Sequence, residues 1–146
     1  MAIHFGGEFR VNKERTEVYD FLSDPKRFAP LLPDFESMSQ HDERRSTVNL
    51  KVGISHIRGT ASILLELAEA ERPRHAVYQG KGSLAGSSVH LTAGFDLEDD
   101  GNGTRVIWKG EAQLFGRLIS VAGGLLEPLA KKNVQKLIDA LQGALS

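Results

Sequence analysis

The 146-residue chain contains no cysteine. That absence excludes disulfides, thiolate nucleophiles, Cys-ligated zinc and iron–sulfur clusters together, and it fits a chain kept in a reducing compartment. Neither sign of charge is in excess: 18 Lys and Arg stand against 19 Asp and Glu, for a net charge of −1. Nucleic-acid binding usually needs a basic face, so no nucleic-acid partner is expected. No apolar run approaches the roughly 20 residues needed to span a bilayer. Met1 to Gly7 also lacks the basic segment and apolar stretch of a signal peptide. The expectation is a soluble, cytoplasmic protein whose residues 1–146 form one domain, since the chain is long enough for one core and too short for two. What the chain has in quantity is glycine, 15 residues.

The order of elements carries the fold. Ile3, Phe5, Gly7, Phe9 and Val11 alternate with more polar neighbours, the period of a half-buried strand. Asn12 is placed to cap a short helix carrying Val18, Phe21 and Leu22, and Asp24-Pro25 ends it. Lys26 to Pro33, with Phe28, Leu31 and Leu32 among three prolines, reads as a short apolar helix or a looped lid. Strands separated by turns then run from Phe35 to about Ala112, with turns expected at Ser55-His56, Glu71 to Arg74, Gly86 to Ser88 and Asp99 to Gly103. The last is a strong hairpin signal, because Gly and Asn accept the positive φ of tight loops.

After Phe115-Gly116 the period becomes helical, with Leu118, Val121, Ala122, Leu125, Leu129, Leu137, Ile138, Leu141 and Leu145 in one stripe. Pro128 is expected to kink this helix and Gly123-Gly124 to loosen it. One strand, two short helices, a run of antiparallel strands and a long C-terminal helix make an α+β fold, most economically a curved sheet wrapped around the helix.

If the apolar parity of each strand faces that helix, the inward set runs through Val48, Ile63, Leu65, Tyr78, Leu91, Phe95 and Trp108, with small residues at Gly59, Ala61, Gly80, Gly82, Ala93, Gly110 and Ala112. The other parity carries the charge, including Lys51, Arg58, Glu66, His75, Lys81, His90, Asp96 and Lys109. Only Tyr78 on the inward parity is titratable, which offers little to general acid–base chemistry. The small residues either let the sheet bend or leave an apolar cavity, with Tyr78 and Trp108 as polar-tipped contacts.

The remaining motifs are weak. His4, His41, His56, His75 and His90 are scattered without metal-ligand spacing. Gly80-Lys81-Gly82-Ser83 lacks Walker spacing and a following helix, and no nucleophile elbow is present. No metal and no resident cofactor is therefore expected. Lys131, Lys132 and Lys136 complement the helix macrodipole or make a weak contact with anionic lipid.

Several of these segments together resemble the carbon monoxide dehydrogenase G-subunit family of the START-like, birch-pollen-allergen-like superfamily. They are the opening strand and helix ending in Asp24-Pro25, Leu32-Pro33, Val52-Gly53-Ile54 to Ile57-Arg58-Gly59-Thr60, Gly80-Lys81-Gly82, Gly103-Thr104-Arg105-Val106 and the Leu- and Lys-rich helix. The resemblance implies a helix-grip fold, a seven-stranded antiparallel sheet around a long C-terminal helix with two short helices after the first strand. It also implies a part in maturation or membrane recruitment of molybdenum-containing dehydrogenases, and a quinone in the cavity. Longer members carry a C-terminal extension linked to membrane attachment, whereas this chain stops at Ser146, so peripheral contact at the inner membrane surface is expected rather than stable anchoring.

The expected function is binding of a quinone- or lipid-like molecule as a carrier or accessory protein. The expected ligand contacts are Leu31 and Leu32 from the Pro-rich segment and Leu118, Ala122 and Leu125 from the helix. The strands are expected to add Ile63, Tyr78, Gly80, Leu91, Phe95, Trp108 and Gly110. The alternatives are an enzyme of the polyketide cyclase or dehydratase kind, drawing on loop or helix groups such as His56, Arg58 or Lys132, and a protein-binding module presenting Leu64, Val77 and Ile107.

Overall fold

A computed structural model describes residues 1–54, 57–84 and 86–146. The chain runs β1 (Ala2–Val11), α1 (Arg15–Leu22), α2 (Pro25–Phe28), a single 3-10 turn (Ala29–Leu31), β2 (Phe35–Gln40), β3 (Arg45–Ile54), β4 (Ile57–Glu71), β5 (His75–Leu84), β6 (Ser87–Asp100), β7 (Gly103–Gly116) and α3 (Arg117–Ala144). The strands form a seven-stranded sheet in the order β1-β7-β6-β5-β4-β3-β2. Every pair is antiparallel, as strands from β2 onward that follow one another within a few residues of chain must be, and β1 closes onto β7. This is the α+β architecture that the alternating patterns predict.

α3 lies along the apolar face of the sheet. Its C-terminal half joins Leu141 and Leu145 to a core of Val11, Val18, Leu22, Val48, Ala76, Phe95, Leu97 and Val106. Its N-terminal half joins Leu118, Ala122 and Leu126 to Ile3, Ile54, Ala61 and Leu114. α1 and α2 cover one end of the same face, where Tyr19 meets Phe95 edge-on at 5.9 Å and Phe28 meets Tyr78 at 5.5 Å.

Three details differ from the sequence expectations. α1 is preceded by Glu14 with no side-chain cap, and the oxygen of Asn12 expected to cap it accepts instead from Arg10 Nη1 at 2.7 Å. β7 continues past Ala112 to Gly116, which keeps Leu114 on the buried parity and lets Ser87 Oγ accept from the Leu118 N–H at 2.6 Å. That hydroxyl caps α3 from a neighbouring strand, since Gly116 has no side chain to do so. The break in α3 falls at Ala122 (φ −136°, ψ 18°) and not at Pro128. Two successive glycines, each costing a helix about 1 kcal/mol relative to alanine, make the step before Gly123 the weakest part of the helix. The expected Ser55-His56 turn and the side chain of Val121 lie outside the described residues.

The Asp99 to Gly103 hairpin forms as predicted, with Gly101 at φ 62°. Gly103 is required for another reason: a Cβ there would overlap the carbonyl oxygen of Val11, beside the Val11–Thr104 end of the β1–β7 pairing.

Candidate functional site

Two cavities lie between the sheet and α3. The first, of about 200 Å³, is lined by Phe5 and Phe9 of β1, Tyr78 of β5, Ala93, Gly94 and Phe95 of β6, Val106, Trp108, Lys109 and Gly110 of β7, and Val134, Leu137, Ile138 and Leu141 of α3, with Leu22 and Phe28 at one end. The second, of about 370 Å³, lies beside the N-terminal half of α3. Ile3, Leu50, Val52, Ile54, Ala61, Ile63, Val89, Leu114, Leu118, Leu126 and Leu129 form its wall, and Asp34, Lys51, Lys132, Asn133 and Lys136 also border it.

The predicted contacts divide between these spaces. Tyr78, Phe95, Trp108 and Gly110 line the first cavity, and Ile63 and Leu118 line the second. Gly80 and Leu91 do not make empty space: a Cβ on Gly80 would lie 2.7 Å from Leu91 Cγ and 3.2 Å from Leu65 Cδ2, so the glycine makes room for those two side chains. Gly82 is filled likewise by Ile63. Leu31 and Leu32 pack against the larger core cluster and border neither cavity, and Ala122 is buried in the smaller cluster. Leu125 is corrected outright. It is 55% exposed and Leu126 takes the interior position, because the break at Ala122 shifts the helical phase.

The Pro-rich segment meets α3 at the second cavity. Pro33 borders the second cavity with Leu126, Leu129 and Ala130, but Gly123, Gly124 and Pro128 do not. The sequence reading left out Phe5, Phe9 and Val134. The two phenylalanines were visible as part of the β1 alternation, and the register that sets Phe5 opposite Gly110 aims them at the cavity.

The polar tips behave differently from one another. The Tyr78 hydroxyl donates to the Leu22 carbonyl at 2.9 Å, so it ties α1 to the sheet and is not a free contact for a ligand. Burial pushes its phenol far above the usual tyrosine value, which removes it from acid–base work near neutral pH. Trp108 Nε1 is buried with no hydrogen-bond partner among the described residues, over a Gly7 whose added Cβ would sit 3.1 Å from the indole.

Of the charged groups on the strands, Lys109 borders the first cavity and Lys51 the second. His75 on the opposite face approaches Asp96 at 2.8 Å and Glu69 at 3.5 Å. The hydrogen bond to Asp96 is the main cause that raises its pKa. Leu64 is 43% exposed on that face, while Val77 and Ile107 are half-buried. Among the described residues, no group of three or more His, Asp and Glu side chains is placed to hold a metal ion, and no helix is long and apolar enough to cross a membrane.

The architecture has solved counterparts. A conserved protein from Geobacillus kaustophilus superposes with a TM-score of 0.84 at 18% identity, over 98% of this chain and 95% of that one. A START superfamily protein from Mycobacterium smegmatis gives 0.69 at 11% identity, over 97% and 96% of the two chains. The Zhui aromatase/cyclase from a Streptomyces species gives 0.68 at 15%, over 99% and 94%. These likenesses are of fold. No curated protein matches the sequence. The carbon monoxide dehydrogenase G-subunit family (CoxG) matches over residues 7–146, and the chain belongs to that family.

Proposed function

We propose that the chain, acting as one domain, binds a quinone- or lipid-like molecule between sheet and helix and serves as a carrier or accessory protein for a molybdenum-containing dehydrogenase. One observation carries the reading: the first cavity is walled almost wholly by apolar side chains, and among its lining residues is Trp108, whose buried Nε1 has no hydrogen-bond partner among the described residues. Family membership and the START-like neighbours support it. Uptake is driven by burial. At about 25 cal/mol per Å², hiding ~200 Å² of ligand surface contributes about 5 kcal/mol before the cost of association. With the Tyr78 hydroxyl committed to Leu22, the donor left for a ligand acceptor such as a quinone carbonyl is Trp108.

The chain has a single tryptophan, so its fluorescence reports on this cavity alone. Solvent extraction of the purified protein should release an apolar compound detectable by mass spectrometry, and a short-chain quinone should quench the Trp108 emission of the stripped protein saturably. If no apolar compound is released and no saturable quenching occurs, the carrier reading fails.

A further inference from the structure

The second cavity carries three lysines at its border where the first carries one, Lys109. Lys51 from β3 and Lys132 and Lys136 from α3 border it together, with Asp34 as the one carboxylate beside them among the described residues. A surface depression continues from Asp34, Lys51, Val52 and Gly53 to Arg58, adding a fourth cation to the same region. None of these four cations has a carboxylate within 4.0 Å among the described residues, whereas Lys131, one residue away on α3, pairs with Glu127 at 3.3 Å.

Helical geometry explains how the lysines reach the mouth. Leu129, Lys132 and Lys136 follow one another at i, i+3 and i+7, so they share a face of α3, and Leu129 supplies apolar wall where the lysines supply charge. Lysine stems lie along apolar surface while their ammonium groups reach water, so these residues extend the wall and end it in positive charge. The backbone N–H of Lys51 donates to the Asp34 carbonyl at 2.9 Å, which ties β3 to the segment leading into β2 at the rim.

An apolar chamber ending in a cationic mouth is complementary to a molecule with an apolar body and one anionic end. We infer that the second cavity binds a single-headed anionic amphiphile, its chain against Ile54, Ile63, Leu118 and Leu126 and its carboxylate or phosphate head held by Lys51, Lys132 and Lys136. This rests on the carrier reading and narrows it, because it assigns a charge to one end of the ligand. The head needs no acid–base partner; the lysines hold it at the surface while the chain leaves water.

Calorimetric titration of the delipidated full chain with laurate, dodecyl phosphate and dodecanol, each kept below micelle formation, tests the inference. Laurate and dodecyl phosphate separate the two sources of negative charge, and dodecanol supplies the same chain without it. Exposed ion pairs are individually weak, so three together should favour the anionic ligands over dodecanol about tenfold at low salt, with the preference shrinking as salt is added. The Lys51→Gln, Lys132→Gln, Lys136→Gln triple variant should lose that preference and keep its dodecanol affinity. Lys131→Gln, which removes a lysine of the same helix already paired with Glu127, should leave laurate binding unchanged.

If dodecanol binds as tightly as laurate, or if Lys131→Gln weakens laurate as much as the triple variant does, the anionic-head assignment is overturned while the carrier reading stands. Binding of none of the three, together with an empty solvent extract, overturns both.

Discussion

The Tyr78 hydroxyl separates a structural from a ligand-binding role for a buried polar group in the site. Tyr78 is 7% exposed and donates to the Leu22 carbonyl at 2.9 Å across 56 positions of chain. Leu22 is the last residue of α1, where carbonyls have no later N–H of their own helix to accept. Tyr78→Phe keeps the ring and its edge contact with Phe28 and removes only the donor. A buried hydrogen bond contributes about 1 kcal/mol net, and a carbonyl left buried without a partner costs about 1–3 kcal/mol. We therefore expect about 2 kcal/mol of destabilisation. With a urea m-value of about 2 kcal/mol/M, the unfolding midpoint should fall by about 1 M with m unchanged. The affinity for a short-chain quinone, followed by Trp108 quenching, should stay within about twofold, because the hydroxyl is already occupied. An unchanged urea midpoint combined with a tenfold loss of quinone affinity would refute the reasoning and return Tyr78 to the role of headgroup contact.

Two further outcomes follow from packing and from electrostatics on other faces of the molecule. Gly103→Ala places a methyl group against the Val11 carbonyl at the β1–β7 junction, where backbone cannot yield as a flexible side chain can. Overpacking of this kind costs about 3 kcal/mol or more, and urea denaturation should show it, while Gly53→Ala, with nothing within 4 Å of its added Cβ, should stay within about 0.5 kcal/mol. The raised pKa of His75, due first to its hydrogen bond with Asp96, predicts a pH-dependent contribution. Because the folded value lies above the unfolded value of about 6.5, the stabilisation is complete below that unfolded value and is lost as pH rises through the folded one. Asp96→Asn should thus lower the thermal midpoint more at pH 5.5 than at pH 9; equal losses at the two pH values would show that the pair contributes no protonation-linked stability.

The sequence carried the fold because strand alternation and helical period are local signals, each readable from a few neighbouring residues. It misplaced features that depend on what another element brings. Leu125 and Leu126 are both good interior candidates by hydropathy, and the irregular backbone at Ala122 decides between them. The Ser87 hydroxyl that caps α3 lies 31 positions from the N–H it accepts, so no capping pattern in the helix sequence could reveal it. The Asn12 cap failed because Arg10 had claimed its oxygen.

Whether a small inward residue makes a cavity or merely admits a neighbour is decided by register, which single-strand periodicity does not contain. Across one row of the sheet Phe5 faces Gly110, Gly110 faces Ala93 and Ala93 faces Tyr78. Two small residues stand side by side there, with aromatic rings only at the ends, and the space above them is the first cavity. Two positions along each strand, Ile3 faces Ala112, Ala112 faces Leu91, Leu91 faces Gly80 and Gly80 faces Leu65. Small and large alternate in that row, so Leu91 and Leu65 close over the glycine and nothing is left empty. The glycines on the inward parity thus have opposite uses, as floor of a chamber at Gly110 and as a seat for packed leucines at Gly80. The second row stands as a partition beside the first cavity, and because it is filled by side chains the sheet presents two chambers, one bordered by Lys109 alone and one by Lys51, Lys132 and Lys136.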